Sequence, residues 1–102
     1  MFAKWYQTLN WILDRVDKMP KHLRFSISNR IADLALEVQA GIVEAIYTRE
    51  RKPILRRINL QLEQLRVLFR LCFERRLLGE KQYAFISQEI NETGKMIGGW
   101  MK

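Results

Sequence analysis

Guanidinium groups are the side chains of this sequence best suited to chemistry, and they are crowded into one window. Arg49, Arg51, Lys52, Arg56, Arg57, Arg66, Arg70, Arg75 and Arg76 make up nine of the eighteen Lys and Arg residues. Only Glu50, Glu63 and Glu74 stand among them, so residues 49–76 hold +6 of the +7 net charge. A guanidinium is charged at every physiological pH, and its planar fork of N–H donors matches the oxygens of a phosphate. That concentration points to a polyanion, and all nine residues are candidate nucleic-acid contacts. Lys52, Arg56, Asn59, Glu63, Arg66 and Arg70 fall within about 80° of one another on a helix. The arginines of this stripe are expected to remain unneutralised by protein carboxylates once copies of the chain have come together. Glu63 can nonetheless pair with Arg66 three residues on, and Asp33, Glu37 and Glu44 could neutralise part of the stripe across a contact with another copy of the chain.

Other chemistries find little material. His22 is the sole histidine, next to Pro20 and Lys21, with no serine or carboxylate obliged to join it; a triad or a metal site needs more partners. Cys72 is the sole cysteine; it lies on an apolar seam and is expected to be a buried, unreactive thiol. Gly98-Gly99 follows a helix instead of opening one, so it makes no phosphate loop. Glu89 and Glu92 have no matching acidic set elsewhere. No enzyme activity, metal or cofactor is expected.

The elements that position the arginines follow from periodicity. Leu55, Ile58, Leu62, Leu65, Phe69 and Cys72 recur at spacings of three and four, the edge of a helix that opens at Pro53 and closes near Leu78, with Gly79 available for a left-handed cap. A first helix over about 2–18 carries Trp5, Leu9, Ile12 and Val16, and Pro20 stops it. A second, over about 27–49, starts near a capping Ser26 and turns Ile27, Ile31, Leu34, Ala35, Val38, Ile42 and Ile46 inward. A fourth, over about 80–97, repeats Tyr83, Ile86, Ile90, Thr93 and Ile97 until Gly98-Gly99. No useful stretch alternates with a period of two. The expectation is an all-α fold, an antiparallel up-down four-helix bundle formed by residues 1–102 as one domain.

The middle helices carry a second apolar line. Leu60, Val67, Leu71 and Leu78 lie roughly opposite the Leu65 seam, and Leu36, Val43 and Tyr47 lie well round from the main stripe of the second helix. These are either scattered surface residues or the contact between subunits of an oligomer. Trp100, close to two glycines, is expected to dock on its own bundle near Trp5 or Trp11, or on a partner.

Composition agrees with a folded basic domain: 48% apolar and 28% charged residues exclude a disordered tail. No uncharged run approaches the roughly twenty residues of a bilayer span. The opening Met1-Phe2-Ala3-Lys4-Trp5 lacks the features of a secretory signal, and the unpaired cysteine suits the cytoplasm.

The assembled residues resemble a known family, the accessory variability determinants (Avd) of diversity-generating retroelements, together with the related bundle proteins encoded in intervening sequences of bacterial 23S ribosomal RNA genes. The clearest piece is the run from Glu92 to Lys102, similar to the family's ending of glycine, basic residue, methionine, aliphatic, two glycines, tryptophan, aliphatic and lysine. Supporting pieces are Pro20-Lys21, Arg24-Phe25, Arg30-Ile31, Ala35-Leu36, Leu65 to Leu71, and Gln82-Tyr83. Met19 stands where the family often has phenylalanine, which preserves an apolar plug. The resemblance implies a homopentameric barrel of four-helix bundles with a basic surface. It also implies a non-catalytic subunit that binds a reverse transcriptase and its structured template RNA, possibilities that include DNA, in support of mutagenic cDNA synthesis. The ribosomal insertion type implies instead a structural homo-oligomer without a polymerase partner.

Overall fold

A computed structural model describes residues 2–102, the Phe2 side chain excepted. Four helices dominate: α1 (Phe2–Asp17), α2 (Asn29–Ile46), α3 (Lys52–Glu74) and α4 (Glu80–Met101). Short 3₁₀ (Lys21–Leu23) and π (Arg24–Ser28) turns join α1 to α2, and the described residues contain no strand. The helices form a bundle in which each runs antiparallel to the next. Between α3 and α4, Asn59 reaches Met101 while Arg66 reaches Asn91. Between α1 and α4, Lys4 meets Glu92 while Trp11 packs against Phe85, the rings tilted 49° to one another. One end of the molecule therefore gathers the α2–α3 loop and the end of α4, and the other gathers the α1–α2 connection and the α3–α4 turn. The long axis between them is 42 Å.

The core forms where the three-four periodicity places it. Trp5, Ile12, Ile31, Leu34, Val38, Ile42, Leu55, Ile58, Leu65, Phe69, Ile86 and Ile90 are buried, and the Trp5 indole N–H donates to the Ala35 carbonyl at 3.1 Å. Gly41 allows α2 to approach α3 closely, since a Cβ there would stand 2.9 Å from Ile58 Cγ1. Cys72 is buried, and burial pushes its thiol up to about 11, with the Arg75 charge pulling the other way.

Several boundaries differ from the sequence expectation, each for a local reason. Residues 21–28 wind as 3₁₀ and π turns before α2 proper begins at Asn29, and Ser26 Oγ donates to the Leu23 carbonyl at 3.3 Å instead of capping amides. α2 stops at Ile46, not Arg49: Thr48 Oγ1 donates to the Glu44 carbonyl at 2.6 Å, a side-chain bond that competes with the helical ladder. Ile46 consequently sits at a frayed end and is exposed, and Ala45 fills the inward position. α3 ends at Glu74, four residues before Leu78. Its left-handed cap is Arg76 (φ 63°), with Leu77 N–H bonded to the Cys72 carbonyl at 2.8 Å and Arg76 N–H to Phe73 at 3.0 Å, a Schellman closure. Gly79 is extended (φ −78°, ψ 169°) and instead starts α4, its N–H donating to Gln82 Oε1 at 3.1 Å. α4 also continues through Gly98-Gly99 to Met101, because Trp100 and Met101 pack against the core and offset the poor helix propensity of the two glycines.

Candidate nucleic-acid interface

The start of α3 is unusual in its electrostatics. A helix N-terminus carries unsatisfied amide N–H groups and about half a positive charge, so acidic side chains stabilise it. Here the first turn contains no acidic residue, and Arg51 in the capping position makes no side-chain cap. Arg49, Arg51, Lys52 and Arg56 add their charges to that same positive pole. Arg49, Lys52 and Arg56 are exposed, and among the described residues none of the four meets a carboxylate. Cations so placed work against helix stability and favour an external anion.

The end of α4 completes this surface. The Arg51 guanidinium lies over the Trp100 ring, 5.1 Å from its centroid, while its Nε donates to the Thr48 carbonyl at 3.2 Å. Asn59 Nδ2 contacts Met101 Sδ at 3.6 Å and ties the last turn of α4 to α3. Together Arg49, Glu50, Arg51, Lys52, Trp100 and Lys102 line a shallow groove at this end of the bundle. Trp100 thus docks on its own chain, but at the α2–α3 loop; Trp11 is engaged elsewhere, by Arg15 and Phe85. Trp100 and Lys102 were not legible as partners of the arginines, because the two glycines read as the end of the helix that carries them.

The remaining arginines are distributed differently. Arg57 pairs with Glu44 of α2 at 2.8 Å, Arg66 with Glu63 at 3.2 Å and with Asn91 of α4, and Arg70 with Glu74 at 3.3 Å. Within the chain Lys52 and Arg56 meet no carboxylate among the described residues, whereas Arg66 and Arg70 are paired, contrary to an unneutralised stripe. That pairing has a simple cause, since glutamates three and four residues away share a helix face. Arg75 and Arg76 sit at the opposite end of the bundle in the α3–α4 turn, both exposed and without a carboxylate partner among the described residues. The nine cations do not form one continuous stripe.

The second apolar line is largely real. Leu36, Val43, Tyr47, Leu60, Val67 and Leu71 are exposed, Tyr47 at 86%, Val67 at 66% and Leu60 at 60%. Leu78 is the exception: α3 has ended before it, and it is buried in the core. Asp33 and Glu37 flank Leu36 on the outer face of α2, exposed and unpaired among the described residues, whereas Glu44 is taken by Arg57 within the chain.

No chemistry assembles around the other reactive side chains. His22 is exposed in the 3₁₀ turn. Glu89 and Glu92 hold Lys4 at 2.9 and 2.7 Å, clamping α1 to α4. These bonds raise the Lys4 pKa, through Glu92 chiefly and then Glu89, and lower that of Glu92. Among the described residues no cluster of His, Cys, Asp or Glu could hold a metal ion, and no helix is long and apolar enough to cross a membrane.

No curated protein and no solved structure matches this chain. A family model described as bAvd-like matches residues 1–102.

Proposed function

Because this chain belongs to the bAvd-like family, and so to the accessory proteins of diversity-generating retroelements, we propose that it is a non-catalytic subunit, acting as one domain in the cytoplasm, that binds structured template RNA and the partner reverse transcriptase to support mutagenic cDNA synthesis. The observation that carries this reading is the start of α3, where Arg49, Arg51, Lys52 and Arg56 crowd the positive end of a helix, with Glu50 the one acidic side chain in the groove there and no protein anion paired to any of them among the described residues. Phosphates supply that anion. The contacts engage backbone oxygens and read no bases, so binding is governed by counterion release. Arg57, Arg66 and Arg70 join as secondary contacts, because exposed ion pairs are worth only about 0–1 kcal/mol and exchange readily for phosphate.

The same family membership supports assembly into a homo-oligomer, a pentamer by resemblance. The exposed Leu36, Val43 and Tyr47 of α2 and Leu60, Val67 and Leu71 of α3 supply its contact, with Asp33 and Glu37 meeting cations of a neighbouring copy. A purely structural oligomer of the ribosomal insertion type uses that face alone and needs no RNA.

Affinity for a structured RNA measured across a salt series tests the first reading. The expected slope of log K against log salt is about −0.9 for each phosphate contacted, and a flat response, or none at low salt, removes it. Native mass spectrometry with and without RNA separates the two readings: the structural oligomer keeps its mass and takes up no RNA.

A further inference from the structure

The end of the bundle away from Trp100 holds a feature the proposed interface does not use. Phe25 is 87% exposed, in the π turn that leads into α2. That turn closes with the Asn29 N–H on the Arg24 carbonyl, one residue wider than an α-helical bond. Leu23 and Ser28 face inward and Phe25 faces out. π turns of this kind recur at functional sites, since an α-helical path would be preferred without another constraint. Along the chain around Phe25, Lys21, His22, Arg24, Ser26, Asn29 and Arg30 are exposed and polar, while Leu23 and Ser28 are buried and Ile27 is half-buried. Lys21, Arg24 and Arg30 have no carboxylate partner among the described residues. Lys21 and Arg24 also line a cleft of about 210 Å³ together with Asp17, Met19, Ser28 and Asn29, a cleft that Phe25 itself does not line.

We propose that Phe25 is a stacking platform for one unpaired nucleobase, with Lys21 and Arg24 holding the adjoining phosphates. The proposal rests on the RNA reading above and adds a site at the opposite end of the molecule. A single ring among cations offers too little apolar area for a protein partner, whose stable interfaces bury on the order of 1,200–2,000 Å². An aromatic face rimmed by positive charge is instead the pattern by which single strands are bound, each base stacking on a ring regardless of its identity.

Phe25→Ala tests this directly, because the side chain is solvent-exposed and its removal leaves the core intact; circular dichroism and subunit mass serve as controls. The probes are a labelled single-stranded 12-mer RNA and a blunt duplex of equal length, whose bases are already stacked. Expected is a loss of single-strand affinity of roughly 5- to 100-fold, an unchanged salt slope because stacking releases no counterions, unchanged duplex affinity, and recovery in Phe25→Trp. Wild-type binding of the single strand together with an unaffected Phe25→Ala protein overturns this site and leaves the α3 interface standing. An altered subunit number in Phe25→Ala overturns it in favour of a contact between copies. Failure of the wild-type protein to bind either probe at low salt overturns both readings.

Discussion

Arginines at the start of α3 and arginines along its flank are identical in sequence terms and opposite in circumstance. Arg49, Arg51 and Arg56 meet no carboxylate, whereas Arg57, Arg66 and Arg70 each rest on a glutamate, two of them on their own helix and one across to α2. A surface that merely needs solubility mixes signs, as the flank does. The start of α3 sets a single acidic side chain, Glu50, among four cations, and it places those cations where the helix macrodipole already disfavours them. Charge that is costly to the fold is the better guide to function.

The largest expected effect comes from replacing each set in turn. Arg49→Ala, Arg51→Ala and Lys52→Ala together should reduce RNA affinity more than roughly tenfold and make the salt slope shallower by about 0.9 for every phosphate the variant no longer neutralises. Arg57→Ala, Arg66→Ala and Arg70→Ala together should change both by less. Equal reductions, read by fluorescence anisotropy over a salt series, would erase the distinction between the two regions.

Gly41→Ala probes the packing that keeps Arg57 beside Glu44. The new methyl would meet Ile58 at 2.9 Å and come within 3.7 Å of Arg57 Nη2, and Ile58 is a fully buried, branched side chain with little room to move. Overpacking costs about 1–3 kcal/mol, and the gain in helix propensity returns about 1 kcal/mol. A net destabilisation of about 0–2 kcal/mol in denaturant unfolding is expected; a stabilised variant would show that α2 and α3 are not held at this distance.

At the far end of α3, Arg76 holds a positive charge in a left-handed conformation that costs a non-glycine residue roughly 1–2 kcal/mol. Arg76→Gly should therefore raise stability by about 1 kcal/mol. It should also weaken RNA binding slightly if the turn touches phosphate. Increased stability with unchanged binding would remove Arg76 from the RNA contacts.

The smallest effect concerns the clamp between α1 and α4. Glu92 has its pKa lowered by Lys4, so its contribution to stability is complete above its unfolded value near 4.5 and is lost as pH falls through the lower folded value. Lys4 behaves in the opposite sense: raised above 10.5, its contribution is present below that value and disappears as pH rises through the folded one. Melting temperatures between about pH 5.5 and 3 should fall more steeply for the wild type than for Glu92→Gln, by a few degrees at most because the pair is only partly buried and solvent screens it. Parallel curves would mean that the clamp is ornamental.

Much of the fold was legible because burial imposes a period. The seams Trp5–Leu9–Ile12 and Leu55–Ile58–Leu62–Leu65–Phe69–Cys72 are buried as their spacing requires, since an apolar edge repeating every three to four residues has only a helix and a core to go to. The exposed second line on α2 and α3 was legible for the same reason, apart from Leu78. Boundaries were less legible because they depend on single competing bonds. Thr48 ends α2 early, Arg76 takes the left-handed cap in place of Gly79, and Trp100 with Met101 carries α4 past two glycines.

The amino-acid order by itself determined four helices, an unusually basic third one, and an apolar face left over after the core is filled, because periodicity and net charge are properties of local sequence. Only the tertiary structure decided that Arg57 is spent on Glu44, that Arg51 is held against Trp100, and which aromatic stands in water at the opposite end. Those outcomes rest on contacts between residues distant in the chain, whose distances are fixed only when the helices pack.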